Sequence, residues 1–182
     1  ISTVSGIIPV KGVEDFLQVS KRILSKYNNI TFVFVGRKID TQLNYYKRIR
    51  KEFKSFDSKI QKKIKFLGMQ KNIKKILEDS DIFLCTSKSE GGPISVWEAM
   101  SMKIPVVTTN VGGTEEYINN GYNGYICKVG NIEEISNKIF RLIRNYKIRN
   151  LFSKRSRKIV IEKLDTRIIV KKYERVYESF NL

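Results

Sequence analysis

Histidine is missing altogether from this 182-residue chain, and its absence closes several routes at once. No histidine general base, no Ser-His-Asp triad and no histidine-bearing metal site can be built. Cysteine is nearly missing too, and Cys85 and Cys127 are too few for a disulfide framework. Both fall in apolar, strand-like runs, which predicts buried reduced thiols and fits a cytoplasmic protein. No apolar run is long enough to span a bilayer, and there is no signal-peptide pattern. The chain opens with Ile1 rather than Met, in strand-like sequence, and reads as a piece of a longer protein. Its length fits one domain, residues 1–182, with enough apolar content for a real core.

Acidic residues are also scarce: 18 stand against 35 Lys and Arg, a formal net charge of +17. The excess is concentrated. Residues 37–75 carry fourteen Lys/Arg against Asp40, Glu52 and Asp57, and residues 141–175 carry thirteen against Glu162, Asp165 and Glu174. Basic faces attract phosphates, nucleic acid or anionic lipid. A plain solvated surface is the competing reading, and the sequence leaves both open.

What is present alternates. Short β-branched runs predict strands over Ser2–Ser5, Thr31–Val35, Ile64–Leu67, Ile82–Thr86, Pro105–Thr109 and Gly124–Cys127. Helical patterns cover Val13–Tyr27, Thr41–Phe53, Ile73–Glu78, Ile94–Met102, Thr114–Asn119, Ile132–Asn145, Arg149–Glu162 and Thr166–Phe180. Such alternation implies parallel strands, right-handed crossovers and helices on both faces. The expected fold is therefore α/β: a doubly wound, Rossmann-like domain of six mostly parallel strands with a C-terminal helical extension. Its ligand site belongs at the carboxyl ends of the strands, near a topological switch point.

Residues 90–98, Glu-Gly-Gly-Pro-Ile-Ser-Val-Trp-Glu, are the most informative stretch. Two carboxylates flank a Gly-Gly-Pro break and a helical run. Pro93 suits the first turn of a helix, so Glu90 sits in a loop and Glu98 projects from the helix. The amides of Ile94 and Ser95 then point out of a helix N-terminus, which favours an anion. A phosphate beside two carboxylates suits a polyhydroxylated phosphoester.

Other candidates share that rim. Lys11-Gly12 opens the first helix, and a lysine there opposes the helix dipole unless an anion lies between them. Arg37 and Lys38 follow the second strand. Gly112-Gly113 follows the fifth and is an ordinary glycine turn or a phosphate or sugar contact. Asp79-Ser80-Asp81 precedes its strand, lies on the opposite rim about 15 Å from Glu90, and is rejected as a metal site. Trp97 and Met100 are assigned to the core. The two cysteines fall on strands expected to be about 10 Å apart at their Cα atoms, too far to bridge.

The segments Val-Lys-Gly (10–12), Phe-Val-Phe-Val-Gly (32–36), Lys-Phe-Leu-Gly (65–68), Ser-Glu-Gly-Gly-Pro-Ile-Ser-Val-Trp-Glu-Ala-Met (89–100), Pro-Val-Val-Thr-Thr-Asn-Val-Gly-Gly (105–113) and Gly-Tyr-Asn-Gly-Tyr (121–125) stand in the order seen in group 1 glycosyltransferases. The chain resembles the carboxyl-terminal, donor-binding half of these retaining, two-Rossmann-domain (GT-B) enzymes. The resemblance implies that the acceptor-binding half precedes Ile1. It implies a nucleotide-diphospho-sugar substrate, most often uridine-linked, and neither a cofactor nor a catalytic metal. It makes Glu98 the second Glu of a Glu-x7-Glu motif, on the ribose hydroxyls, and Glu90 the first, beside the donor sugar and needed for transfer. The amides of Gly91 and Gly92 fall to sugar hydroxyls, and those of Ile94 and Ser95 to the diphosphate, which Lys11 neutralises. Gly112 and Gly113 join the donor-binding set, and the loop around Met69 receives the nucleobase. One position departs: the family usually has an Arg five residues before the lysine, where this chain has Gly6, so Arg37 or Lys38 is the substitute.

The reading is transfer of a sugar to a hydroxyl of a glycan or lipid-linked acceptor, as in polysaccharide biosynthesis. The place is the cytoplasm, with Arg149, Lys154, Arg155, Arg157, Lys158, Lys171, Lys172 and Arg175 available to an anionic membrane face. A dehydrogenase domain is disfavoured, since no Gly-x-Gly-x-x-Gly follows the first strand. Two alternatives remain. A non-hydrolysing nucleotide-sugar epimerase uses a similar fold, against which the lack of histidine counts. A basic nucleic-acid-binding module fits the charge, but no recognised motif supports it, and no nucleic-acid partner is expected.

Overall fold

The computed structural model describes residues 1–180. Six strands, β1 (Ser2–Val4), β2 (Phe32–Val35), β3 (Ile64–Phe66), β4 (Phe83–Cys85), β5 (Val106–Thr109) and β6 (Tyr125–Cys127), form one sheet in the order β3-β2-β1-β4-β5-β6. Every pairing is parallel. Parallel strands covered on both faces read as unbroken apolar runs, as Phe32–Val35 and Phe83–Cys85 do.

Successive side chains on a strand point to opposite faces, so each strand feeds two cores. Leu84, Val107 and Tyr125 enter a core with Phe16, Leu17 and Ile23 of α1 (Val13–Leu24), Ile49 of α2 (Leu43–Lys54) and Ile139 of α7 (Ile132–Arg144). Phe83, Val106 and Ile126 enter the other, with Leu77 of α4 (Ile73–Glu78) and Val96, Ala99 and Met100 of α5 (Ile94–Ser101). Met100 is thus a core residue, and Trp97 packs edge-on against Tyr117 of α6 (Thr114–Tyr117). α8 (Tyr146–Ile159) passes between layers, with Phe152 in the first core and Val160, just beyond it, in the second.

Most helices start where expected and end one to three residues early, while α2 and α8 also differ at their starts. α8 begins at Tyr146 rather than Arg149, because the Asn145 side chain accepts the Ile148 N–H at 3.0 Å and restarts the helix one residue after α7 ends. A short helix α3 (Ser58–Gln61) was not expected; Asp57 caps it by accepting from the Lys59 N–H. A π-helical stretch, Val160–Leu164, joins α8 to α9 (Thr166–Ser179), which has no buried residue. Three of the closing arginines are structural. Arg149 donates to the carbonyls of Leu142 and Ile143, Arg155 to Tyr122 and Arg157 to Ser101. Among the described residues, no helix is long and apolar enough to cross a membrane.

Cys85 and Cys127 are buried free thiols on strands separated by β5. Their side chains enter opposite cores. Burial pushes the Cys127 thiol up to about 12.

Candidate functional site

The chain leaves β1 toward β2 and β3 on one side, then returns to add β4 on the other. The loops after β1 and β4 therefore flank a crevice at the switch point. They are clamped together. The Lys88 N–H donates to the Val10 carbonyl at 2.7 Å, and Thr86 Oγ1 donates to the Gly12 carbonyl at 2.9 Å. Gly12 makes this approach possible: it is buried at φ 60°, and a Cβ there would lie 2.0 Å from the Thr86 oxygen.

Lys11 closes a 3₁₀ turn (Pro9–Lys11) just ahead of α1, and its Nζ reaches across the crevice to Glu90. It donates to both carboxylate oxygens, at 2.6 and 2.7 Å. Ser87 Oγ donates to Glu90 Oε1 at 2.7 Å. Ser87 is buried, and its carbonyl accepts from Thr109 Oγ1 at 2.5 Å. The anion demanded by a lysine ahead of α1 is thus the protein's own Glu90. Ser87 was not among the candidates. Its signal was its place, at the end of β4 and three residues before Glu90.

Gly91 and Gly92 are exposed, and their N–H groups have no protein acceptor among the described residues. Pro93 is the N-cap of α5. The expected role of the Ile94 amide meets a competitor, because its N–H donates to the Gly92 carbonyl at 2.9 Å. The flexible Gly-Gly pair lets the chain fold back far enough to supply that acceptor. The Ser95 N–H has no protein acceptor among the described residues. Glu98, one helical turn on, is exposed, and its carboxylate takes no hydrogen bond or ion pair among them.

Gly112 belongs to the same place. A Cβ on it would lie 1.9 Å from the Glu90 carbonyl oxygen, so glycine is what lets the β5 loop touch the β4 loop. Gly113, at φ 73°, is the N-cap of α6. Arg37 and Met69 meet at the other end of the rim. Together with Lys38, Tyr46, Arg50 and Phe66 they line a concavity of about 350 Å³. The Ile7 N–H donates to the Arg37 carbonyl and the Gly36 N–H to the Gly68 carbonyl, which ties the loops after β1, β2 and β3 into one ledge. At Gly6 a Cβ would meet only Ile39 side-chain carbons at 3.9 Å, so space does not explain a missing Arg.

A larger concavity, about 810 Å³, lies at the opposite rim and is lined by Ile1, Thr31, Asp79, Asp81 and Arg144. It lies at the amino ends of β1, β2 and β4, away from the amide-rich rim. Asp79-Ser80-Asp81 thus lies on the rim opposite Glu90, as its place ahead of β4 implied.

Fold and rim together define a Rossmann-like domain of the type found in GT-B glycosyltransferases. The chain belongs to the group 1 glycosyl transferases, whose family profile matches residues 1–159. N-acetyl-alpha-D-glucosaminyl L-malate synthase of Bacillus anthracis is 29% identical over 175 residues, 96% of this chain and 44% of that protein. The crystallised C-terminal domain of the group 1 family protein LpcC from Francisella tularensis superposes with a TM-score of 0.82 at 27% identity, over 91% of this chain and 86% of that one. A Staphylococcus aureus TarM variant, crystallised with Fondaparinux, alpha-GlcNAc-glycerol and UDP, gives 0.83 at 26% identity, over 97% of this chain and 34% of its own. The chain thus spans less than half the length of the full-length relatives it matches here.

Proposed function

We propose that this chain is the carboxyl-terminal, donor-binding domain of a retaining glycosyltransferase acting on a uridine-diphospho-sugar. One observation carries the reading. At the β1/β4 switch point a lysine, a carboxylate and the Gly91, Gly92 and Ser95 amides converge, and a second carboxylate, Glu98, follows one helical turn along α5; neither these amides nor the Glu98 carboxylate has a protein partner among the described residues. The UDP in the TarM crystal supports the choice of nucleotide.

In this reading Glu98 accepts hydrogen bonds from the ribose hydroxyls and Glu90 from the donor sugar. Gly91 and Gly92 offer amides to the sugar. Lys11, the Ser95 amide and the dipole of α5 take the diphosphate, with Arg37 or Lys38 in the role of the Arg that Gly6 replaces. Gly112 and Gly113 wall the sugar side, and the ledge at Met69 receives the base. Positive groups and the helix dipole, rather than a metal, stabilise the leaving diphosphate. Its departure leaves an oxocarbenium-like sugar, which the acceptor hydroxyl attacks on the same face, with the leaving phosphate as base. Acceptor residues lie on a preceding domain, so the chain alone binds donor without transferring sugar.

A protection assay tests the proposal. UDP raises the melting temperature, while NAD and an oligonucleotide do not. Affinity for UDP falls at roughly 10 μM to 1 mM, because half of a closed cleft is absent. Protection by NAD or by the oligonucleotide instead of UDP would assign the chain to another class. Efficient sugar transfer by this chain alone would overturn the two-domain reading.

A further inference from the structure

The Lys11–Glu90 pair joins two groups that the proposed function gives to different parts of one donor. Three observations show that it is built in. Both carboxylate oxygens are engaged by Lys11, at 2.6 and 2.7 Å. Ser87, itself buried, holds Oε1 from behind at 2.7 Å. The two loops are fixed in register by backbone bonds and by a glycine that tolerates no side chain. The pair is also shielded, with side-chain exposures of 26% for Lys11 and 13% for Glu90, so its attraction is screened less than that of a surface pair.

We propose that Glu90 restrains Lys11, so that a nucleotide diphosphate must compete with this carboxylate for the lysine. The inference rests on the donor-site reading above. An ammonium has three donors, and here Glu90 draws on them from both of its oxygens. Glu90 holds two of the three and neutralises the charge, so a diphosphate gains the lysine's full attraction only as Glu90 gives it up. Sugar hydroxyls that donate to Glu90 compete for the same oxygens and loosen its hold. The carboxylate therefore links sugar recognition to phosphate recognition, and it disfavours a nucleotide diphosphate that carries no sugar.

Calorimetry on this chain with UDP and uridine tests it, using the parent, Glu90→Gln, Lys11→Gln and the double variant. Glu90→Gln is expected to bind UDP about three- to tenfold tighter, since a partly shielded pair no longer has to be broken. Uridine affinity stays the same throughout, which reports an intact fold. In the Lys11→Gln background the gain from Glu90→Gln disappears, because the competition runs through the lysine; a gain that persists there is simple charge repulsion and overturns the proposal. UDP affinity unchanged or weakened in Glu90→Gln also overturns it. If Glu90→Gln loses uridine binding, Glu90→Ala takes its place with the same two criteria. A parent chain that binds uridine and UDP while Glu90→Gln shows no gain defeats this inference alone. A parent chain that binds neither defeats the donor-site reading and this inference with it.

Discussion

At the residue scale, the rim depends on close backbone approach more than on any one charge. Gly12 lets the Thr86 carbonyl come within what would be Cβ contact, at a positive φ that side chains adopt only with strain. Gly12→Ala is expected to destabilise the fold by about 1–3 kcal/mol and to weaken UDP binding, read from denaturant unfolding and calorimetry. Unchanged stability would mean that the β1 and β4 loops are not clamped as described. The thiols give a second check. With burial holding the Cys127 thiol at about 12, almost no thiolate exists at pH 8, and both cysteines lie in the core. A thiol reagent is expected to react with the native chain only as it unfolds, and prompt reaction of either cysteine would contradict their placement. Residue identities at the rim were legible because Glu90, Lys11 and the glycines stand in recognisable order. Their pairings were not. Lys11 and Glu90 are 79 positions apart, and no local pattern announces that one neutralises the other. Nor does Gly-Gly-Pro reveal that Gly92 takes the Ile94 amide.

At the scale of elements, all six strands fall within their expected ranges. A parallel strand buried on both faces leaves a run such as Thr-Phe-Val-Phe-Val that no amphipathic helix would show. α4 matches its expected bounds, Ile73–Glu78, and α5 its expected start at Ile94. What sequence could not set was where capping restarts a helix. α7 and α8 are parted by Asn145 alone, and its side chain does the parting. Asn145 is exposed, so Asn145→Ala removes the cap with little change in packing. It is expected to lower stability by about 1 kcal/mol, measured as a shift in denaturant midpoint at constant slope. No shift would place the start of α8 elsewhere. The basic closing helices show a similar limit: a count of Arg and Lys did not distinguish arginines that cap backbone carbonyls, as Arg149 and Arg157 do, from exposed lysines such as Lys171 and Lys172.

At the scale of the whole molecule, sheet order turns scattered loops into one rim. β1 pairs with both β2 and β4, so residues from the first twelve positions and from the ninth decade meet at the switch point. Alternation of strands and helices was enough to foresee this, because connection rules leave few topologies for six parallel strands. The family profile and the superposed C-terminal domain fix the kind of protein. The donor, the roles of Glu90 and Glu98 and the missing partner domain are this account's own proposals. Their common claim is that nucleotide binds at this rim with its ribose on Glu98. Calorimetry of UDP against the parent chain and Glu98→Gln tests it most directly. A neutral amide loses a charge-assisted hydrogen bond, typically about 1.5–3 kcal/mol, so binding is expected to weaken about tenfold or more with the fold intact. Glu98→Gln binding UDP as tightly as the parent would contradict the account.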